Sequence, residues 1–387
     1  MDQSKRNFIK GVGLLGAAGV AATMTSASGQ QITAGAQSSS VFNVKDFGAK
    51  GDGSTPDSEA IQKALDAAGK VQGTAYFPSG NYRCHNLKMS SNTTVLAEPQ
   101  WGYGAGIGAV LTIDSDDADC VLDISEGHGC HIRGVSLRGN RRAAKVQHGI
   151  FQNHPTAFSS RENSPIIEDV SVNGFSGHGV YLLRIWVFIL RHNIFMSNGG
   201  HGVCIYGWDG FVIDNQFANN GKSGFGTENE GSMVMFTGNR VEWNREYGLC
   251  LDGSYAWNVT GNNFDHNWGA GVYLNRIRNS AFTGNVFRRN GNDSSKLMEG
   301  SEESCHMIIQ SCSGISVTGN TGGAGRDDRG QGAPKPSYAF WLKNNACSVV
   351  MANAFFRGYL KDMTVDKGGH SPDFLINSNV GSVFETT

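Results

Sequence analysis

Proline is scarce in this 387-residue chain, at 8 residues, and so is charge: 17% of residues are charged and the formal net charge is −2. That balance leaves no basic stripe of the kind nucleic-acid binders carry. After residue 30 no apolar run is long enough to span a bilayer. The eight cysteines, at 84, 120, 130, 204, 250, 305, 312 and 347, lack metal spacings such as C-x-x-C and read as small apolar fillers. Residues 120–387 offer no helical stripe of useful length, which excludes helical repeats. Glycine is what the chain has in quantity, at 53 residues.

Its placement is regular. Asn193, Asn215, Asn239, Asn262 and Asn285 recur at intervals of 22, 24, 23 and 23 residues. Gly179, Gly202, Gly224, Gly248 and Gly271 keep step, and each opens a short apolar alternation such as Gly-Val-Tyr-Leu-Asn. A fixed period of this size means a solenoid or array. Propeller blades need about 40–45 residues and helical repeats about 33–47. A coil of roughly 23 residues with period-two alternation fits one turn of a parallel β-helix, its rungs about 4.8 Å apart. The asparagines then form an inward ladder, each amide bonded to the next rung. Cys204 and Cys250 fall two rungs apart, too far to bridge.

Three segments precede the coils. Residues 1–30 hold Lys5-Arg6, then a small and apolar run from Gly11 to Ala22, the pattern of an export signal. Lys-Arg-Asn-Phe-Ile-Lys resembles the twin-arginine type with Lys5 in place of the first Arg, so a periplasmic or extracellular destination is expected. Residues 31–40 read as a linker. Residues 41–110 form a cap and first strands, with Ile61 and Leu65 marking an amphipathic helix and Ser54 to Asp57 offering caps. Residues 111–387 are the solenoid.

Residues 42–66, from Phe-Asn-Val-Lys-Asp-Phe-Gly-Ala-Lys-Gly-Asp-Gly to Ala-Leu-Asp, followed by Gly-Thr-Ala-Tyr-Phe-Pro-Ser-Gly-Asn-Tyr-Arg, resemble the N-terminal signature of the pectate-lyase-like superfamily. The resemblance implies an all-β, right-handed parallel β-helix, here of about ten coils, with the helix plugging its open end. Asp46, Asp52 and Asp57 read as turn and cap residues. Phe287-Arg-Arg, the loop to Glu303, Cys305 to Thr318 and Phe340-Trp-Leu-Lys-Asn-Asn345 resemble the last coils of inulin fructotransferases, a likeness that implies a homotrimer.

Outward positions carry the chemistry. Two residues past each comb glycine stand Tyr181, Cys204, Gly226, Cys250 and Tyr273; four past stand Leu183, Tyr206, Glu228, Asp252 and Asn275. Adjacent rungs would set Glu228 and Asp252 about 5 Å apart, an acid paired with a nucleophile or base for cleaving a glycosidic bond. The same two side chains could equally be solvated neighbours. Tyr181, Tyr206, Trp208, Asp209, Tyr273, Asn275 and Arg276 would bind a polysaccharide around a depression at Cys204, Gly226 and Cys250. Glu242 and Asp265, with Arg288 below, form a rival column that reads as a surface ladder. His178 and His201 stack at a corner in a structural role. No metal or other cofactor is expected of a hydrolase or transglycosylase. A polysaccharide lyase on a uronate polymer is the alternative; it would allow calcium and need a cationic base, for which Arg184 or Arg276 would have to fold back. Asp114 to Asp119 is acidic but reads as a turn. A glycan-binding surface protein without catalysis is the third reading.

Overall fold

The structure, a computed structural model, describes residues 40–99, 108–154, 157–291 and 304–385. The export segment, the linker up to residue 39 and Glu303 lie outside these residues. The chain winds into two long sheets, one of 21 strands and one of 13. Successive coils pair in parallel, for example Val203–Ile213 on Val180–Arg191 and on Phe225–Thr237. Most coils place two strands in the larger sheet and one in the smaller, as Leu249–Asp252, Asn258–Thr260 and Asn263–Asp265 do. Thirteen strands in the smaller sheet carry the stack beyond the regular block, through coils whose lengths depart from 23 residues.

Period-two alternation explains the interior. Val180, Val203, Phe225, Leu249, Val272, Met307 and Phe340 align rung on rung and are buried. Phe195, Phe217, Val241, Phe264 and Phe287 do the same along the smaller sheet. The asparagine ladder is present and longer than the comb: Nδ2 of Asn193, Asn215, Asn239, Asn262 and Asn285 each donates to the next Oδ1 at 2.9–3.1 Å, and the line continues through Asn320, Asn353 and Asn379. A second ladder, Asn198, Asn220, Asn244, Asn267 and Asn290, runs five residues behind the first. The sequence shows it as the same comb displaced, and our reading missed it.

Ser58–Lys70 is the expected helix, with Ile61, Ala64, Leu65 and Ala68 turned inward. Asp57 precedes it without capping it; the carboxylate instead accepts the backbone N–H of Lys50 at 2.7 Å and of Gly51 at 3.0 Å. Asp52 likewise closes a turn on Ser54 and Thr55. All eight cysteines are free thiols, and six are buried. Among the described residues no helix is long and apolar enough to cross a membrane.

Candidate functional site

The outward column two past each glycine forms as read: Phe151, Tyr181, Cys204, Gly226, Cys250 and Tyr273 pair in turn. The column four past does not. Leu183 pairs with Tyr206, and Asp252 with Asn275, but the ladder between their coils stops at Gly226–Cys250. Two bulges cause this. Leu183 and Ile185 face the adjacent residues Tyr206 and Gly207, so Arg184 is an extra residue, and its φ is 55°. One coil on, Ile205 and Gly207 face Thr227 and Gly231, so the segment Glu228–Asn229–Glu230 takes four steps where its neighbour takes two. Gly207 is required opposite the first bulge: a Cβ there would lie 1.9 Å from the carbonyl oxygen of Ile185. Bulges of this kind re-aim side chains and collect beside active sites.

The two carboxylates that adjacent rungs were expected to pair take different partners. Glu228 turns back across two coils and accepts the Tyr181 hydroxyl at 2.5 Å. Asp252 is held by Asn275 Nδ2 at 3.1 Å and by Arg276, whose Nη2 stands at 2.8 Å. No hydrogen bond joins Glu228 to Asp252 among the described residues. Burial first, then the bond to Glu228 and its charge, push the Tyr181 phenol well above its ordinary value. Tyr181 therefore carries its proton and presents it to Glu228.

The expected depression is filled. Cys204 is 2% exposed, and the His201 ring lies over Gly226, where an added Cβ would come within 2.8 Å of it. His148, His178 and His201 stack at 5.3 and 5.2 Å, and each Nδ1 accepts a backbone N–H from the coil that follows. The first two rings flank Tyr181 at 4.8 and 4.7 Å. Burial lowers His148 to about 4, His178 to about 2 and His201 to about 4, so the row is neutral and positions Tyr181. The unfolded chain takes up these protons first as pH falls, from the ordinary imidazole value of about 6.5. Stability from the row is full above that pH and is lost progressively towards about pH 4. The depressed carboxylates, Glu168 and Asp265 among them, begin to lose theirs only below about pH 4.5. The urea midpoint should therefore fall between about pH 6.5 and 4.5; a flat midpoint over that interval would contradict a neutral, buried row.

Walls rise on the Arg184 side. Arg184 donates to Asn153 Oδ1 at 3.0 Å and lies 5.8 Å from the Tyr206 ring centre. Phe158 stacks on Trp208 at 4.0 Å and meets Tyr206 edge-on at 5.3 Å. Trp186 donates its indole N–H to Asp209 at 3.0 Å. The sequence reading reached Tyr206, Trp208 and Asp209 but not Asn153, Phe158 or Trp186, which come from other coils and carry no periodic mark. Tyr273 stands apart, stacked on Tyr247 at 4.6 Å and accepting from Gln310. A hollow of about 500 Å³ opens beside Trp186, lined by His128, Arg161 and Glu162 among others.

The rival pair is neutralised, but by Arg240 and Arg289 and not by Arg288, which reaches Asp265 only at 3.9 Å, and Glu242 is buried, not on the surface. Glu242 takes Gln216 and Arg240, and Asp265 takes Arg289. Metal donors cluster at one place among the described residues. His178, His201 and Cys204 bring ligand atoms within 4.8 Å of one another. Their Nδ1 atoms are engaged, parallel rings do not converge on one point, and burial keeps the Cys204 thiol protonated. The acidic run does not suit calcium: Asp114 goes to His85 and Asp119 to Lys145.

Residues 178–325 match the family model of the right handed beta helix region, and residues 41–102 match that of rhamnogalacturonase A/epimerase, pectate lyase-like. The fold is a right-handed parallel β-helix, and the N-terminal segment is similar to the pectate-lyase-like model. The chain is 30% identical to alginate lyase 7 of Azotobacter vinelandii over 196 residues, which cover 48% of this chain and 23% of that one. The mannuronan C5-epimerase AlgE6 of the same organism is 33% identical over 187 residues, 45% of this chain and 20% of that one. This β-helix chain thus spans about a quarter or less of the curated relatives first matched. In structure it superposes on the AlgE6 A-module with a TM-score of 0.66 at 20% identity, covering 88% of this chain and 99% of the module. A DFA-IIIase from Arthrobacter chlorophenolicus A6 gives 0.63 at 12% identity, covering 90% and 100%. At these identities the structural likeness is one of fold.

Proposed function

We propose that the protein acts on a uronate-bearing polysaccharide, moving the proton on the carbon next to the sugar carboxylate. The observation that carries this reading is the pair of bulges, which bring a phenol–carboxylate couple and a guanidinium to one face. In this reading Glu228 takes the proton and Arg184 neutralises the sugar carboxylate as charge develops on it. Tyr181 then returns a proton. Delivered to the leaving O4 as the C4–O bond breaks, it completes an elimination and leaves a C4=C5 double bond. Delivered to the opposite face of C5 by a second donor, a proton completes an epimerisation. Phe158, Tyr206 and Trp208 would hold the sugar rings. The relatives support this reading, since their names are those of an alginate lyase and mannuronan epimerases.

The partners of the two carboxylates, Tyr181 on Glu228 and Arg276 on Asp252, favour this reading over hydrolysis by the pair. The test is incubation with alginate blocks, polygalacturonate and neutral glucans and fructans in deuterated water. An unsaturated product or deuterium at C5 supports the reading. Products carrying one added water, or a cyclic anhydride from a fructan, would overturn it. Binding without turnover on any polymer would favour a glycan-binding protein.

A further inference from the structure

The smaller sheet carries a second polar cluster that the proton-transfer reading does not use. A hairpin closed by the Gly325–Lys335 bridge folds over Asp265, His266 and Arg289. Its own acids serve to hold it down: Asp327 pairs with Lys335 at 2.8 Å and lies 3.5 Å from His266, and Asp328 pairs with Arg289 at 2.8 Å. Arg289 also grips Asp265 at 2.5 Å. Of five cationic side chains here, Arg289 and Lys335 are closely paired with the three carboxylates, and the other three are exposed. Arg288 reaches Asp265 only at 3.9 Å, Arg326 donates to the Gly332 carbonyl, and Arg329 stands exposed at the hairpin tip. These three guanidiniums line a hollow of about 480 Å³ together with the paired Asp327 and Asp328, glycine backbone and Phe384.

We propose that this hollow is an accessory binding site for the anionic groups of a polysaccharide, carboxylate or sulfate, on the sheet opposite the bulges. The guanidinium forks match such groups in charge and in planar, two-point hydrogen bonding. The Phe384 ring, with Arg357 4.7 Å over it, adds an aromatic wall of the kind that suits a sugar ring. A polymer held there would raise the local concentration of substrate at the other face, since tethering makes the second contact intramolecular. The idea extends the uronate reading, and the experiment separates the two.

Affinity electrophoresis through gels containing polyuronate or dextran sulfate gives binding, and turnover of a short oligouronate gives activity. Arg288→Ala/Arg329→Ala should weaken polymer binding roughly tenfold or more. The same double variant should leave short-substrate turnover unchanged, because neither residue touches the bulged face. Retardation by dextran sulfate alone, lost in the double variant, would keep the anion site and sink the uronate reading. Unchanged retardation in both gels would overturn the site, as would a parallel loss of short-substrate turnover.

Discussion

Glu228→Gln should lower turnover by roughly 10²- to 10⁴-fold with little change in KM. The amide keeps the size of the carboxylate and can still meet the Tyr181 hydroxyl, so the bulge and the histidine row stay in place. On the proposed reading, what is lost is the proton acceptor, a group that acts in the transition state more than in binding. Tyr181→Phe should match it: the ring still packs between His148 and His178, but the proton to be returned is gone. Asp252→Asn should cost much less, because that carboxylate is already spent on Arg276 in an exposed pair. Steady-state kinetics on the substrate found in the polymer screen would check all three. Equal, large losses for Glu228→Gln and Asp252→Asn, with Tyr181→Phe unaffected, would restore the two-carboxylate mechanism.

Asn239→Ala should destabilise the protein by about 4 kcal/mol, the sum of several orphaned groups at about 1–3 kcal/mol each. Asn239 sits in mid-ladder at 1% exposure. Its Nδ2 donates to Asn262 Oδ1 at 3.0 Å and to the Val212 carbonyl at 2.9 Å, while its Oδ1 accepts from both nitrogens of Asn215. Alanine leaves those partners buried without replacements, and water cannot reach them. Asn263→Ala, an exposed asparagine one position from the ladder in the next coil, should change stability by less than about 0.5 kcal/mol. Urea midpoints for the two variants measure the difference. A loss below about 1 kcal/mol for Asn239→Ala would mean that the ladder is tolerated more than it is needed.

Both predictions rest on parts of the molecule that differ in how openly the chain displays them. The ladder is written as a period, and the inward columns follow from alternation. Every coil repeats the same constraint, since a residue at one rung must fit its equivalents above and below. The comb at Asn193 to Asn285, the buried Gly+1 column and the capping helix are legible for that reason. So are the histidine stack and the Glu242–Asp265 column. The 24-residue interval between Asn215 and Asn239 was a sign that one coil held extra chain, and it falls on the coil that bulges at Glu228.

Where the bulges aim Arg184 and Glu228 was not legible. A strict register sets Glu228 beside Asp252; the added residues break that register and leave each carboxylate to whatever stands within reach in three dimensions. Tyr181 is 47 residues away in sequence and Arg276 is 24 residues from Asp252, and no local pattern joins either pair. The hairpin over Arg289 is likewise a break in the repeat, built on contacts of 37 and 39 residues' separation. Repetition lets the chain announce its fold, because identical short-range rules are applied coil after coil. The places where the chain departs from repetition are ordered by single long-range contacts, and only the folded arrangement shows which of the available partners each departing side chain meets.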